Sequence, residues 1–246
     1  MIAALFQESS TIASFSNYNT GYILEALGSL GAVDYGTALL RMAWGAQLSA
    51  GATCWWETGS SWGLAGMGVG TGGVDVVLGA TSSLCHAWES LATPWLTKYV
   101  LGVRALTPGH AQFLFAPAIG GTGPDHVRGD VPTRYGVVSA SAAVAVEAGV
   151  HTYTLSLTAP VGTAATLRLP HGLSTLLACE MGGGGDCVPS AVGVEGGIEW
   201  GVGAGVHSMT VRVREAPPPA PASLPAGLIN TGALCSRVQA VHPQGS

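Results

Sequence analysis

The sequence predicts a multidomain chain that is α first and β afterwards: a helical portion, an antiparallel β-sandwich, then a tail. Three observations predict it. Apolar residues recur at helical spacing between residues 17 and 102. After Gly102 the period shortens to two, in short runs separated by turn residues. From Ala216 onward, Pro-Pro-Pro-Ala-Pro-Ala-Ser reads as a linker into a disordered tail. Segregated runs of helix and strand argue for separate domains instead of one mixed sheet. The expected boundaries are 1–102, 103–215 and 216–246.

The first helix is expected around Tyr22 to Leu30, after capping side chains at Asn17 to Thr20, with Tyr22, Ile23, Ala26, Leu27 and Leu30 on its apolar face. Gly28 and Gly31 weaken its end and can cap it. Asp34 opens a second helix through about Gln47, striped by Ala38, Leu39, Met42 and Ala46. The short link predicts an antiparallel pair. A long glycine-rich loop follows. A third helix is expected from Ser83 to Tyr99, carrying Leu84, Trp88, Leu91, Trp95 and Tyr99, with Pro94 kinking or splitting it. Three helices are too few for an independent bundle of any size.

The strands follow. Gln112 to Phe115 is a short strand before Pro117. Tyr135 to Glu147 alternates weakly, and Glu147-Ala-Gly-Val150 suits a hairpin turn. His151 to Thr158 puts Tyr153, Leu155 and Leu157 on one face. Ala164 to Leu169 puts Ala165, Leu167 and Leu169 inward, and Met209 to Arg214 alternates cleanly.

Composition excludes several classes. Charged residues are 9% of the chain, far below the usual quarter, while hydrophobic residues reach 48%. Disorder of the whole chain needs the opposite balance. Glycine, at 37 residues, has no three-residue period, which excludes collagen. Nine scattered Lys and Arg make no basic footprint, so no nucleic-acid partner is expected. No apolar run reaches the length of a membrane span, so no membrane partner is expected either. Met1 to Glu8 lacks the basic and long apolar regions of a secretory signal and reads like a chain that begins mid-domain, which leaves the compartment open.

Five cysteines (Cys54, Cys85, Cys179, Cys187, Cys235) include no CxxC, so no metal site is expected. Cys179 and Cys187 flank a glycine loop and can pair; two free thiols fit as well. No clustered carboxylate loop offers a calcium site.

Glu57 stands out among the acids. It ends Gly51-Ala-Thr-Cys-Trp-Trp-Glu57, directly after a helix and two tryptophans. Indole faces stack on sugar rings, and a carboxylate takes a hydroxyl or water proton. The plainer reading is a helix-terminal Glu beside two core tryptophans. In Ser83-Leu-Cys-His-Ala-Trp88, His86 and Glu89 would share a helix face. The plainer readings there are a satisfied core histidine and a solvated Glu89, the second being preferred. Gly68-Val-Gly-Thr-Gly-Gly73 matches GxGxxG without a preceding strand, and Ser60 and Ser61 form no nucleophile elbow.

The two blocks together resemble bacterial-type α-L-rhamnosidases, glycoside hydrolase family 78. The resemblance extends through Tyr99-Val-Leu-Gly-Val-Arg104, Pro108-Gly, Phe113-Leu-Phe and Gly129-Asp-Val-Pro-Thr-Arg-Tyr-Gly136, and covers roughly residues 17–214. It implies the last helices of an (α/α)6-barrel catalytic domain followed by a C-terminal β-sandwich. It also implies inverting hydrolysis of terminal α-L-rhamnose from glycosides and polysaccharides, with no cofactor. Carried onto this chain, Glu57 matches the general base and His86 a rhamnose-binding residue, while Trp56 lines the pocket beside the base.

Three departures qualify the resemblance. The family's general acid lies in an earlier acidic segment that has no match here. A glycine-rich insertion, Gly63 to Gly79, separates Glu57 from His86. Glu89 stands where a smaller residue is expected. The chain therefore reads as the C-terminal part of such an enzyme, inactive alone and with the N-terminal half as its implied partner. The alternative is a non-catalytic carbohydrate-binding or structural remnant; a helical-barrel glycosidase of other sugar specificity is weaker still.

Overall fold

The computed structural model describes residues 17–49, 51–57, 83–121, 123–169, 173–182, 185–187, 189, 191–192 and 197–215. The chain divides into two compact units. Among the described residues the first draws on 17–24, 38–57 and 83–91, and the second on 25–37 and 92–215. The GxGxxG stretch, the glycine-rich insertion, Ser60, Ser61, Cys235 and the proline-rich tail lie outside the described residues.

Helix α1 spans Asn17–Ser29 and α2 spans Val33–Ser49. The chain leaves α1 through Gly31, whose φ of +72° suits a residue without a Cβ. Gly31 N–H donates to the Gly28 carbonyl and Ala32 N–H to the Leu27 carbonyl, which satisfies the last turn in a Schellman arrangement. Asp34 in the first turn of α2 complements the helix dipole.

The buried face of α1 differs from the expected one. Thr20, Gly21, Leu24, Leu27 and Gly28 are buried, whereas Tyr22, Ala26 and Leu30 are exposed. Glycine is the reason. A Cβ at Gly21 would collide with the Leu91 side chain, and one at Gly28 with the Tyr99 ring. The same holds for Gly36 in α2 against Trp95. These glycines are seats for large side chains, so the contact face runs through them instead of through the bulkier apolar residues. In α2, Leu39 is buried as expected, Ala38 and Met42 are half-buried, and Gly36, Ala43, Trp44 and Gln47 complete the buried stripe. The side chain of Ala46 lies outside the described set.

The expected helix from Ser83 is shorter and broken. Ser83 to His86 is irregular; a 3₁₀ turn covers Ala87–Leu91, α3 covers Ala92–Trp95, and a π turn covers Leu96–Val100. Pro94 has no N–H for the carbonyl four residues back and crowds that carbonyl, so a regular helix cannot run through it. Leu101 N–H reaches the Leu96 carbonyl, five residues back, at 2.8 Å.

Eleven strands are described in two sheets. The first has the order β1-β2-β6-β10-β9 and holds Val103–Ala105, Gln112–Phe115, Ala164–Arg168, Ile198–Val202 and Ala191–Val192. The second has the order β3-β4-β5-β11-β7-β8 and holds His126–Thr133, Gly136–Glu147, Val150–Ala159, Gly205–Glu215, Leu173–Met181 and Gly185–Asp186. Pairing is antiparallel except between β2 and β6, which run parallel. The wholly antiparallel expectation thus fails at one pair.

One core joins the two sheets into a sandwich: Phe113, Phe115, Leu167 and Trp200 from the first meet Val138, Leu155, Leu157 and Val211 from the second. The hairpin between β4 and β5 turns at Ala148 and Gly149, with φ of +47° and +74°, which is the type I′ signature.

Candidate functional site

The site is built where α2 ends. Gly51, at φ +88°, lets the chain turn out of the helix; its N–H donates to the Leu48 carbonyl and that of Ala52 to the Gln47 carbonyl. The next five residues carry the chain to Glu57. Buried Gln47 reaches forward with its side-chain oxygen and accepts the Trp56 N–H at 3.0 Å. This bond fixes the backbone one residue before the carboxylate. Trp56 is buried and Trp55 half-buried.

Two sequence blocks then come together. Glu57 N–H donates to the Ser83 carbonyl at 2.9 Å, and His86 N–H donates to the Trp55 carbonyl at 2.8 Å. Ser83 N–H in turn donates to Glu57 Oε2 at 2.8 Å. The Ser83 hydroxyl folds its own segment by bonding the backbone of Cys85. A Cys54–Cys85 disulfide, with Cα atoms 5.0 Å apart, closes the arrangement from outside. Sequence reasoning missed this pair, because 31 residues separate the two and nothing local links them. Cys179 and Cys187, left open between pairing and free thiols, are paired as well.

The result places His86 Nε2 3.9 Å from Glu57 Oε1, with each side chain about one-third exposed (32% and 29%). That separation is too long for a hydrogen bond. One oxygen of Glu57 is therefore held by Ser83, and the other faces the imidazole across a gap. The His86 ring also packs on Trp88, with centroids 4.2 Å apart. Trp88 continues to Tyr18 at 5.4 Å, and Tyr18 meets Tyr22 edge to face at 5.1 Å. Trp88 and Tyr22 are exposed, so the row runs along the surface beside the carboxylate.

Glu89 overturns its expected placement. It is not on a solvated helix face shared with His86; it sits in the 3₁₀ turn and is fully buried. The tighter turn changes the phase of every side chain after His86. Burial pushes the Glu89 carboxyl up to about 7. The nearby Tyr18 backbone N–H tempers the shift without closing a bond of ordinary geometry, and the charge of Glu57 adds to it.

Among the described residues no group of three or more His, Cys, Asp or Glu comes together to hold a metal ion. No helix among them is long and apolar enough to cross a membrane.

Comparison with known proteins gives a family match inside the second unit and a likeness of fold over most of the chain. Residues 102–180, from the entry of β1 through most of β7, match the family model described as the bacterial alpha-L-rhamnosidase C-terminal domain. Three solved structures resemble 78% of the chain. They are the alpha-L-rhamnosidase of Dictyoglumus thermophilum (18% identity, TM-score 0.58), that of Streptomyces avermitilis complexed with L-rhamnose (21%, 0.60) and the native enzyme of Aspergillus terreus (21%, 0.55). The match covers 20%, 17% and 19% of those chains, so this chain spans about a fifth of their length. At these identities the likeness is one of fold. No curated protein matches the sequence.

Proposed function

We propose that this chain, which carries the C-terminal domain of bacterial α-L-rhamnosidases at residues 102–180, serves inverting hydrolysis of terminal α-L-rhamnose from glycosides, with Glu57 as the general base. His86 binds the sugar beside it, and Trp56 backs the carboxylate from within the core. The observation that carries this reading is the pairing of the two blocks. It leaves Glu57 partly exposed, fixed through one oxygen, and 3.9 Å from His86.

The chemistry asks little of this part of the site. An inverting base needs a carboxylate that is ionised, oriented and open to one water. Ser83 N–H orients Oε2 of Glu57, and the gap towards His86 leaves Oε1 for the water or a hydroxyl. Protonation of the leaving group needs a second carboxyl about 6.5–9.5 Å away. The family's acid matches nothing in this chain, so the chain by itself is inactive and acts with the rest of a barrel.

A second reading, a non-catalytic sugar-binding module, draws on the exposed row of Trp88, Tyr18 and Tyr22, since aromatic faces hold sugar rings without any acid. The test is hydrolysis of an aryl α-L-rhamnoside by the whole chain, with Glu57→Gln in parallel and L-rhamnose binding followed by tryptophan fluorescence. Binding without turnover, weakened in His86→Ala, supports the site. Measurable turnover that persists undiminished in Glu57→Gln would remove Glu57 as the base. Absence of any binding would remove both readings.

A further inference from the structure

The Cys54–Cys85 disulfide lies directly on the candidate site. Cys54 stands three residues before Glu57, and Cys85 directly precedes His86. The segments it joins are anchored unequally. The Glu57 segment is held from inside, because Trp56 is buried and its N–H rests on the Gln47 side chain. His86 is held from its far side: its carbonyl accepts the Glu89 N–H, and the Trp44 indole holds the Glu89 carbonyl. Between them, Ser83, Leu84 and Cys85 are all exposed, and the Ser83 hydroxyl bonds within its own segment. Among the described residues, this exposed stretch is tied to the Glu57 segment by the disulfide and by the two bonds Ser83 shares with Glu57. Exposed hydrogen bonds compete with water and hold a segment weakly, whereas the covalent bridge does not open thermally.

We propose that this disulfide is a thiol-operated switch on the site. Oxidised, it keeps the Ser83 N–H on Glu57; reduced, it releases the Ser83–Cys85 stretch and with it the donor that orients the carboxylate. The proposal rests on the reading of Glu57 as the base: without Ser83, Oε1 of Glu57 is no longer presented to one water. The reductant is a dithiol. Its thiolate attacks the exposed Cys85 Sγ, the bond between Cys85 and Cys54 breaks, and Cys54 leaves as a thiolate that takes a proton from water. The second thiol, also as thiolate, then attacks the mixed disulfide. The reductant closes its own disulfide, and Cys85 leaves and is protonated. Two electrons and two protons pass from the dithiol to the protein. The other bridge is shielded from this chemistry, because Cys187 is only 7% exposed and packs in the sandwich core. Access therefore separates the two.

Timed exposure of the whole chain to dithiothreitol tests this. Alkylation with peptide mapping follows each cysteine separately, and amide hydrogen exchange follows the backbone. Cys54 and Cys85 are expected to become alkylated about tenfold faster than Cys179 and Cys187. On their reduction, exchange at the Ser83 amide should rise by about tenfold, while the Trp56 amide, held by Gln47, stays unchanged. Reoxidation should restore the slow Ser83 exchange. Reduction of Cys179–Cys187 first, or a Ser83 amide indifferent to reduction, overturns the switch. Cys54→Ser with Cys85→Ser should show the fast exchange permanently and ignore the reductant. Should that variant fail to fold, the reduction and reoxidation of the wild-type chain decide by themselves. None of these readings needs a sugar. A Ser83 amide indifferent to reduction therefore overturns the switch and leaves Glu57 as the base, whereas a responsive Ser83 amide in a chain that binds no L-rhamnose counts against the base reading alone.

Discussion

The indole N–H of Trp44 donates to the backbone carbonyl of Glu89 at 2.7 Å, inside the first unit. The bond ties the middle of α2 to the 3₁₀ turn and commits the Glu89 side chain to the interior. An acid placed there is easily accommodated as a neutral group and poorly as an anion.

Stability should therefore depend on pH. The folded-state pKa of Glu89 is raised from its ordinary 4.5 to about 7, so between those values the folded chain holds more protons than the unfolded one. The contribution of Glu89 to stability is fully present below about 4.5, is lost as pH climbs through the window, and levels off above about 7. The shift corresponds to roughly 3 kcal/mol across the window. Glu89→Gln should flatten that fall. Urea unfolding at pH 5 and pH 8, followed by tryptophan fluorescence, gives both slopes. Equal pH dependence in wild type and variant would show that Glu89 does not carry it.

The Cys54–Cys85 disulfide gives a second expectation. It closes a loop of 31 residues, for which the chain-entropy account gives about 3–4 kcal/mol. Cys54→Ser with Cys85→Ser should lose stability of that order and also loosen the Glu57–His86 approach, since Cys54 lies three residues before Glu57 and Cys85 directly precedes His86. Cys179–Cys187 closes only 8 residues and should contribute about 2–3 kcal/mol. Alkylation counts with and without a thiol reductant check the pairing, and denaturant midpoints check the energies. An unchanged midpoint in the Cys54/Cys85 double variant would contradict this account.

How much of this was legible in the sequence depends on what each residue signals locally. Tyr153, Leu155 and Leu157 alternate cleanly, and all three are buried in the core of the sandwich. Glu147 to Val150 carries a glycine where the I′ turn wants one, so the hairpin was readable too. His126–Thr133 was not. It is the edge strand of its sheet, buries only Val131, and contains Gly129 and Pro132, which an edge tolerates and a pattern search rejects. The α1 face was misread because glycine has no hydrophobic signature, although Gly21 and Gly28 lie on the contact face. At the site, the block Gly51 to Glu57 was visible, whereas Gln47, the disulfide and the burial of Glu89 depend on partners distant in sequence.

Those glycines supply the last prediction, because three positions of one residue type have opposite expectations. Gly28→Ala puts a Cβ against the Tyr99 ring, and Gly36→Ala puts one against the Trp95 indole. Both rings are wedged in the interior of the second unit, where Trp95 and Tyr99 also pack on each other at 5.8 Å, so neither can swing aside cheaply. Each change should cost about 1–3 kcal/mol by overpacking. Gly45→Ala meets nothing within 4 Å and lies in the interior of α2, where alanine is the better helix former. It should stabilise by about 0.5–1 kcal/mol. Thermal unfolding of the three variants side by side reads the sign directly. If Gly28→Ala and Gly36→Ala were as stable as Gly45→Ala, the close seating of Tyr99 and Trp95 on the helix glycines would be wrong. The buried face of both helices would then need to be redrawn along the bulkier apolar residues.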